Sequence, residues 1–224
     1  MTDKPAWLAG EWYDKDSTTG SSDDGEIRRF FMKPGEERKL IFLTDAETPQ
    51  PVWEHKVFHK GTKMPSFHTC LRESEGNCPL CDWHSEHGKV PARKTLFMTV
   101  IDVEGFVSNR TQKAYTNLKR LYAITSSSSI ELLGKRVNRL IDGGKNLRGA
   151  QFMIGRTTND KSPASGDDFE YLEHIDLDTL EDTAEYDYEA ITKPDPEAVK
   201  RCVERLKTEI EAVSKPVDEA DIPF

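Results

Sequence analysis

Three cysteines close together constrain the fold of this chain more than any other feature of its sequence. Cys70 is followed by the pair Cys78-Pro79-Leu80-Cys81. The tight turn of a Cys-x-x-Cys pair brings two thiolates to one side of the backbone. In an intracellular chain such thiolates favour metal over disulfides, and structural zinc takes four tetrahedral nitrogen or sulfur ligands. The sequence therefore predicts a Zn²⁺ site in a loop that spans residues 55–87.

The fourth ligand of this site has to be a histidine, because the remaining cysteine, Cys202, lies in a distant predicted helix. The candidates are His55, His59, His68, His84 and His87. His68 is close to Cys70, and His84 would give a compact Cys-x-x-Cys-x-x-His arrangement. Spacing alone leaves the choice open.

Charge is divided between a basic body and an acidic tail. The 224 residues carry a net charge of −9. Residues 27–165 hold 23 Lys/Arg and 14 Asp/Glu, whereas residues 166–224 hold 6 Lys/Arg and 19 Asp/Glu. A basic surface binds a polyanion by releasing its counterions. We therefore expect the body to bind nucleic acid, and the tail to compete for that surface or to contact partner proteins.

Short strands dominate the basic body. Apolar and β-branched runs predict strands at residues 28–32, 39–43, 52–59, 96–103, 114–125, 149–157 and 169–172. The first two are predicted to form a hairpin, and the serines 126–129 offer an N-cap to a helix over about residues 129–142. This mainly β pattern with helical additions fits a five-stranded oligonucleotide-binding barrel (OB-fold) over residues 27–172.

The segments outside this domain are predicted to be extensions with separate roles. They are a flexible acidic arm (1–26), an acidic linker (173–193), an amphipathic helix (194–214) and a disordered acidic tip (215–224). Asp195 and Pro196 provide the N-cap and first turn of that helix. Its apolar residues, Val199, Val203, Leu206, Ile210 and Val213, follow at spacings of 4, 3, 4 and 3.

The metal motif and the strand after it resemble those of the zinc-containing single-stranded-DNA-binding proteins of tailed phages, the T-even type. In that family a histidine precedes the first cysteine, and a Cys-Pro-x-Cys pair is followed by an Arg-Lys-Thr-aromatic strand. This chain has Trp53-Glu54-His55, the three cysteines, and then Arg93-Lys94-Thr95-Leu96-Phe97. The resemblance implies a DNA-binding OB-fold with zinc held by Cys70, Cys78, Cys81 and His55.

The last seven residues resemble the C-terminal tip of bacterial single-stranded-DNA-binding proteins, which ends in Asp-Asp-Asp-Ile-Pro-Phe. In that family the tip recruits replication and repair enzymes. The residues that would bind such partners here are Asp218, Glu219, Asp221, Ile222, Pro223 and Phe224. Together the two resemblances imply a phage protein that coats DNA in replication, recombination and repair and contacts host-type enzymes.

Contacts to a single strand are expected from basic side chains and stacking aromatics. The phage resemblance gives first rank to Arg93, Lys94 and Phe97, and the next candidates are Lys113 and Tyr115. Further predicted contacts are Arg28, Lys56, Lys119, Arg120 and Trp53, with Phe31 and Phe58 among the possible stacking rings.

Known catalytic patterns do not occur in the sequence. A nucleobase deaminase places His-x-Glu before its cysteines, whereas His84-Ser85-Glu86 follows them here. Metalloprotease, P-loop and nucleophile-elbow motifs are missing too, so no enzymatic activity is expected. The alternative is a zinc-containing regulator or adaptor that binds duplex DNA through the basic helix over residues 129–142.

Location is expected to be the cytoplasm, that of the bacterial host if this is a phage protein. No apolar run approaches the roughly 20 residues that span a membrane. The first ten residues lack the basic and then apolar pattern of a signal peptide.

Overall fold

The computed structural model describes residues 29–62, 65–107, 114–159 and 162–214. Its strands are β1 (Glu37–Phe42), β2 (Gln50–Val57), β3 (Ser66–Thr69), β4 (Ala92–Asp102), β5 (Phe106–Val107), β6 (Ala114–Tyr115), β7 (Leu118–Ile124), β8 (Ala150–Gly155) and β9 (Asp168–His174). Its helices are α1 (Arg72–Glu75), α2 (Pro79–His87), α3 (Ser127–Asp142), α4 (Tyr188–Thr192) and α5 (Pro196–Ser214), with a 3-10 turn at Leu177–Thr179. The predicted arm and tip, Arg28 and Lys113 lie outside the described residues.

Seven strands form one antiparallel sheet centred on β4. β7 pairs with one edge of β4, while β2 and β1 share its other edge, β2 at residues 92–97 and β1 at residues 100–102. β3 extends the sheet beyond β2, and β8 and β9 extend it beyond β1. Among the described residues no ladder joins β7 to β9, so the sheet is open. β5 and β6 form a separate hairpin.

The predicted hairpin between residues 28–32 and β1 is wrong. β1 pairs instead with β4 and β8. The segment before β1 lies beside β7, where Phe30 N donates to Leu121 O at 2.9 Å. Met32 N donates to Ala164 O, between β8 and β9, at 2.8 Å. Phe30 and Met32 are buried. Burial of these two side chains therefore fixes the segment. The turn at Pro34-Gly35 reverses the chain, but the segments before and after it do not pair with each other.

The sheet has an inner face that forms the main core. Successive side chains of a strand point to opposite faces. On the inner side, Leu40 and Phe42 of β1 pack with Met98 and Val100 of β4 and with Tyr122 of β7. α3 closes this core with its own apolar stripe, Leu133, Val137 and Leu140. Of the four serines that the sequence offers as an N-cap, Ser126 caps α3 by accepting a hydrogen bond from Ser129 N.

The outer face of the sheet is partly covered by residues 175–192, which we call the acidic cover. Its Tyr188 and Ile191 pack on Phe97 of β4. Farther along the sheet, its residues Ile175, Leu177 and Leu180 pack on Ile41, Leu43 and Ile101. The prediction of an acidic linker over residues 173–193 is therefore wrong. The cover is mostly irregular, so its apolar anchors follow no helical or strand period that the sequence could reveal.

α5 confirms the predicted amphipathic helix. Asp195 Oδ1 accepts a hydrogen bond from Ala198 N at 3.1 Å and so caps it. Its buried side chains, Val199, Cys202, Val203 and Leu206, pack against the segment that carries the three clustered cysteines. Ile210 lies near the end of the stripe and is 38% exposed. Within the described ranges, no helix combines the length and apolar character needed to cross a membrane.

Candidate metal centre and nucleic-acid interface

His55 and the three cysteines converge on one buried point. His55 comes from β2, Cys70 directly follows β3, and Cys78 and Cys81 lie at the start of α2. Their ligand atoms all lie within 4.8 Å of one another. Cys78 occupies the N-cap position of α2, and Pro79 begins the helix without needing a backbone donor. The local fold of Cys-Pro-x-Cys therefore places two sulfurs beside the histidine.

Three of the separations within this cluster are close to those of a tetrahedral site. His55 Nε2 lies 3.5 Å from the sulfur of Cys78 and 3.5 Å from that of Cys81. The sulfurs of Cys70 and Cys81 are 3.5 Å apart. Zinc with its usual bond lengths would set ligand atoms about 3.6–3.8 Å apart. The four groups can thus hold a metal ion with little movement.

A backbone carbonyl orients the histidine. His55 Nδ1 lies 2.8 Å from the carbonyl oxygen of Val90. A donor at Nδ1 leaves the Nε2 lone pair for the metal, which is the usual outer contact of a histidine ligand. Val90 adopts φ 55°, a conformation that a β-branched residue rarely takes. No sequence signal marks Val90 for this role, because the strained backbone is visible only in the structure.

The cysteines differ in how readily they ionise. Burial opposes ionisation of Cys78, yet hydrogen bonds with His55 and with the backbone N–H groups of Leu71 and Cys81 lower its pKa to about 6. Burial and the neighbouring Cys70 and Cys78 raise the pKa of Cys81 to about 12. Of these two thiols, Cys78 is therefore the one that ionises more readily.

The other candidate histidines have different partners. His59 lies 3.1 Å from Glu209 Oε1 and 3.6 Å from the sulfur of Cys202. His68 contacts Ser66 at 3.1 Å, and burial lowers its pKa to about 4. The ring of His84 is engaged with the carbonyl of Lys89, and that of His87 with the carbonyl of Trp83. Of the alternatives that the sequence left open, the structure thus selects His55.

A second surface lies on the outer face of the sheet, beyond the end of the acidic cover. In the pairing of β2 with β4, Glu54 lies opposite Arg93, and in that of β2 with β3, Lys56 lies opposite Phe67. These side chains therefore share one face with Phe97 and Ile101. Arg93 and Lys56 are exposed. We call the surface formed by Phe31, Lys56, Phe58 and Arg93 the open half of the outer face.

Two aromatic rings are presented on this open half. Phe58 is 58% exposed and Phe31 is 37% exposed. The Phe31 ring stacks on buried Phe67 with centroids 6.3 Å apart, and Lys56 Nζ lies 4.9 Å from the Phe58 ring. Exposed rings beside cations are the elements that hold an unpaired nucleic-acid strand.

Positive charges converge around Lys56. Partial desolvation lowers its pKa, and the charges of Arg93, Arg29 and Arg156 lower it further. Arg29 is itself buried in an ion pair with Glu54, and its guanidinium lies 3.8 Å from the Phe67 ring. Arg29 therefore supports the surface from below, while Lys56 and Arg93 are the cations that face solvent.

Phe97 does not belong to this exposed surface. Its side chain is 1% exposed and lies under Tyr188 and Ile191 of the acidic cover. The prediction that Phe97 stacks on DNA is wrong in this conformation. Phe97 shares a strand and a face with exposed Arg93, but the cover buries its part of that face.

Trp53 and Lys94 lie on the opposite face from Arg93. They are directly paired across β2 and β4. Trp53 is 41% exposed, and Lys94 is exposed as well. Neighbouring residues of a strand point in opposite directions. A nucleic-acid strand on the outer face can therefore contact Arg93 and Lys56 without reaching Trp53 or Lys94.

The remaining predicted contacts lie toward the other end of β4. Lys119 and Arg120 of β7 pair with Ile101 and Val100, about 25 Å along β4 from Arg93. Lys119 Nζ is bound to Asp182 Oδ1 at 2.6 Å. The Tyr115 ring stacks on Phe106 with centroids 5.2 Å apart, and Arg120 lies 5.6 Å from that same Phe106 ring. The structure thus separates the predicted contacts into distinct groups.

Comparison with known proteins adds no family assignment. No protein-family model matches this sequence, and no curated protein matches it significantly.

Proposed function

We propose that this protein binds single-stranded DNA through the open half of its outer face. The observation that carries the proposal is the combination of Phe31 and Phe58, both exposed, with the cations Lys56 and Arg93. Base–aromatic stacking contributes about 1–3 kcal/mol per base and tolerates any sequence. Cations along the strand add a term that depends on salt rather than on base identity. Binding is therefore largely independent of sequence.

A single strand suits this surface better than a duplex. Stacking on Phe31 and Phe58 requires unpaired bases. The duplex alternative depended on α3, whose Leu133, Val137 and Leu140 are buried in the core. On its exposed side, Lys135 is bound to Glu131 at 2.6 Å. α3 is therefore a packing helix with part of its basic charge neutralised.

The order and pairing of the strands support an OB-fold. β1 and β2 together act as one bent first strand along β4, β7 follows, and α3 precedes β8 and β9. Closure of the sheet into a barrel would require a link between β7 and β9. Residues 29–32 support this proposal, because Phe30 N donates to Leu121 O of β7 and Met32 N donates to Ala164 O in the loop between β8 and β9. In the proposed barrel, this segment would bridge the gap that the strand pairing leaves open.

Zinc is the metal that the cluster suits best. Three thiolates and one imidazole form a complete tetrahedral set, which is typical of structural zinc. An ion held by His55, Cys70, Cys78 and Cys81 would join β2, the end of β3 and α2. It would thereby support the strands that carry Lys56 and Phe67.

The proposed biological setting is phage DNA replication, recombination and repair in the bacterial cytoplasm. It rests on the resemblance of the metal motif and on the acidic Asp221-Ile222-Pro223-Phe224 ending. In this setting the protein coats single strands, and the tip recruits replication and repair enzymes. It has no catalytic role of its own.

Binding to oligo-dT is expected to be tighter than to a duplex of equal length and to weaken steeply with salt. The logarithm of the association constant should fall linearly with log salt, by about 0.7 for each phosphate contact. Fluorescence anisotropy of labelled oligonucleotides between 50 and ~400 mM salt measures both properties. Equal affinity for duplex, or affinity that is constant over this salt range, would contradict the proposal.

Removal of residues 221–224 is expected to leave oligo-dT affinity unchanged or slightly higher, because it removes negative charge and no basic residue. Recruitment of a partner enzyme should be lost. Co-sedimentation of host replication and repair proteins with DNA-bound full-length and truncated chains tests this. A collapse of DNA binding on truncation would show that the tip is part of the fold.

A further inference from the structure

We infer that the acidic cover is a fixed boundary of the nucleic-acid site, which confines a bound strand to the open half of the outer face. This inference rests on the proposed function and adds the path and extent of the site. It also gives residues 175–192 a role in DNA binding. Their acidic composition alone indicates only a linker.

The cover is attached to the sheet by buried side chains. Tyr188 is 6% exposed and Ile191 is fully buried. The Tyr188 hydroxyl lies 2.7 Å from the hydroxyls of both Thr44 and Thr99. Tyr186 N donates to Thr99 Oγ1 at 3.0 Å. Detaching the cover would expose these apolar groups and leave buried hydroxyls without partners, so it stays in place when a strand binds.

The cover is also acidic throughout. It contains seven Asp/Glu and no Lys or Arg. These are Asp176, Asp178, Glu181, Asp182, Glu185, Asp187 and Glu189. Two of the acidic groups lie close to cations of the body: Asp182 pairs with Lys119 at 2.6 Å, and Glu185 lies 3.9 Å from Arg148. The covered half therefore repels phosphates, and its nearby cations are already neutralised.

The open half begins where the cover ends. Along β4, Phe97 lies under the cover, Thr95 is buried and bonded to Glu54, and Arg93 is exposed. Lys56 of β2 and Phe58, which directly follows the end of β2, continue this surface toward β3. The four residue steps from Phe97 to Arg93 span about 13 Å of β4. The change from an acidic covered surface to a basic aromatic one occurs within this distance.

A bound strand would therefore cross β4 near Arg93 toward β2 and β3, and would not run along β4 to β7. This path contacts Phe31, Lys56, Phe58 and Arg93, and excludes Lys119 and Arg120. It predicts a short contact length on each protein molecule.

Neutralising variants of the full chain test the path. Arg93→Gln and Lys56→Gln are each expected to weaken oligo-dT binding about fivefold near 0.1 M salt and to reduce the salt slope by about 0.7. Lys94→Gln is the matched control, because it is the exposed neighbour of Arg93 on the opposite face. Lys119→Gln tests the covered half. Both of these variants should change affinity by less than about twofold, and a loss at Lys119 equal to that at Arg93 would overturn the inference.

Hydrogen exchange of the wild-type chain with and without oligo-dT tests whether the cover is fixed. Amides of residues 54–58 and 92–95 should gain protection, and those of residues 175–192 should stay as protected as before. Loss of protection in the cover would show that it is displaced by DNA and would overturn the inference while leaving the proposed function intact. A wild-type chain that does not bind oligo-dT would instead reject the proposed function, and this inference with it.

Discussion

Removal of the proposed zinc ion is expected to destabilise the part of the molecule built on the four-ligand cluster. His55, Cys70, Cys78 and Cys81 come from three separate parts of the chain, so a bound ion would link these parts in addition to their packing against α5. A ligand at 1,000 times its dissociation constant stabilises the folded state by about 4 kcal/mol. Losing it should lower the melting temperature by about 10 °C in a chain of this size. Thermal melting with and without a strong zinc chelator measures the change.

Two cysteine variants make this prediction specific. Cys81→Ser should abolish one-to-one zinc binding, as measured by elemental analysis of the purified protein, and should melt like the chelated wild type. Cys202→Ser is the control, because Cys202 is equally buried but contacts His59 and lies outside the cluster. It should retain the full zinc content. A wild-type melting temperature unaffected by chelator would rule out a structural metal.

Truncation of Tyr188 to alanine is expected to cost about 3–5 kcal/mol of unfolding free energy, the usual range for a buried aromatic residue. The ring packs with Phe97 and Leu121, so its loss leaves a cavity under the cover. Tyr188→Phe keeps the ring and removes only the hydroxyl bonded to Thr44 and Thr99. That variant should cost about 1 kcal/mol. Urea denaturation followed by circular dichroism measures both values.

Phe58→Ala is the surface control for this experiment. Phe58 is 58% exposed, so its truncation should change stability by less than about 0.5 kcal/mol. If Tyr188→Ala were as stable as Phe58→Ala, the cover would not be anchored to the sheet. The boundary that we infer for the nucleic-acid site would then lose its physical basis.

Much of the secondary structure could be predicted because local patterns report it directly. β4 contains the most apolar β-branched run of the chain, and α3 and α5 show apolar residues at helical spacing after clear N-caps. Some strands begin several residues away from their predicted starts. β4 is predicted to begin at residue 96 but begins at Ala92, because β2 pairs with its polar first half. The same kind of run predicts a strand over residues 28–32, but among its described residues Phe30 and Met32 enter the core without a paired ladder.

Assignments that depend on long-range packing could not be predicted. Phe97 and Phe58 are both aromatic residues in or beside strands, yet the cover buries the first and leaves the second exposed. Arg93 and Lys94 are adjacent in sequence but lie on opposite faces. Lys119 has the sequence context of a phosphate contact, and an acidic residue 63 positions later neutralises it.

The sequence by itself determined the ligand types of the metal cluster, the basic body with its acidic C-terminal region, and the main strands and helices. These properties follow from residue chemistry and from periodicities of a few residues. The tertiary structure decided which histidine joins the cysteines, which aromatic rings reach solvent, and that residues 175–192 cover the sheet. These three properties depend on which distant segments of the chain contact each other. The register between two strands, or a few buried side chains such as Tyr188, determines those contacts.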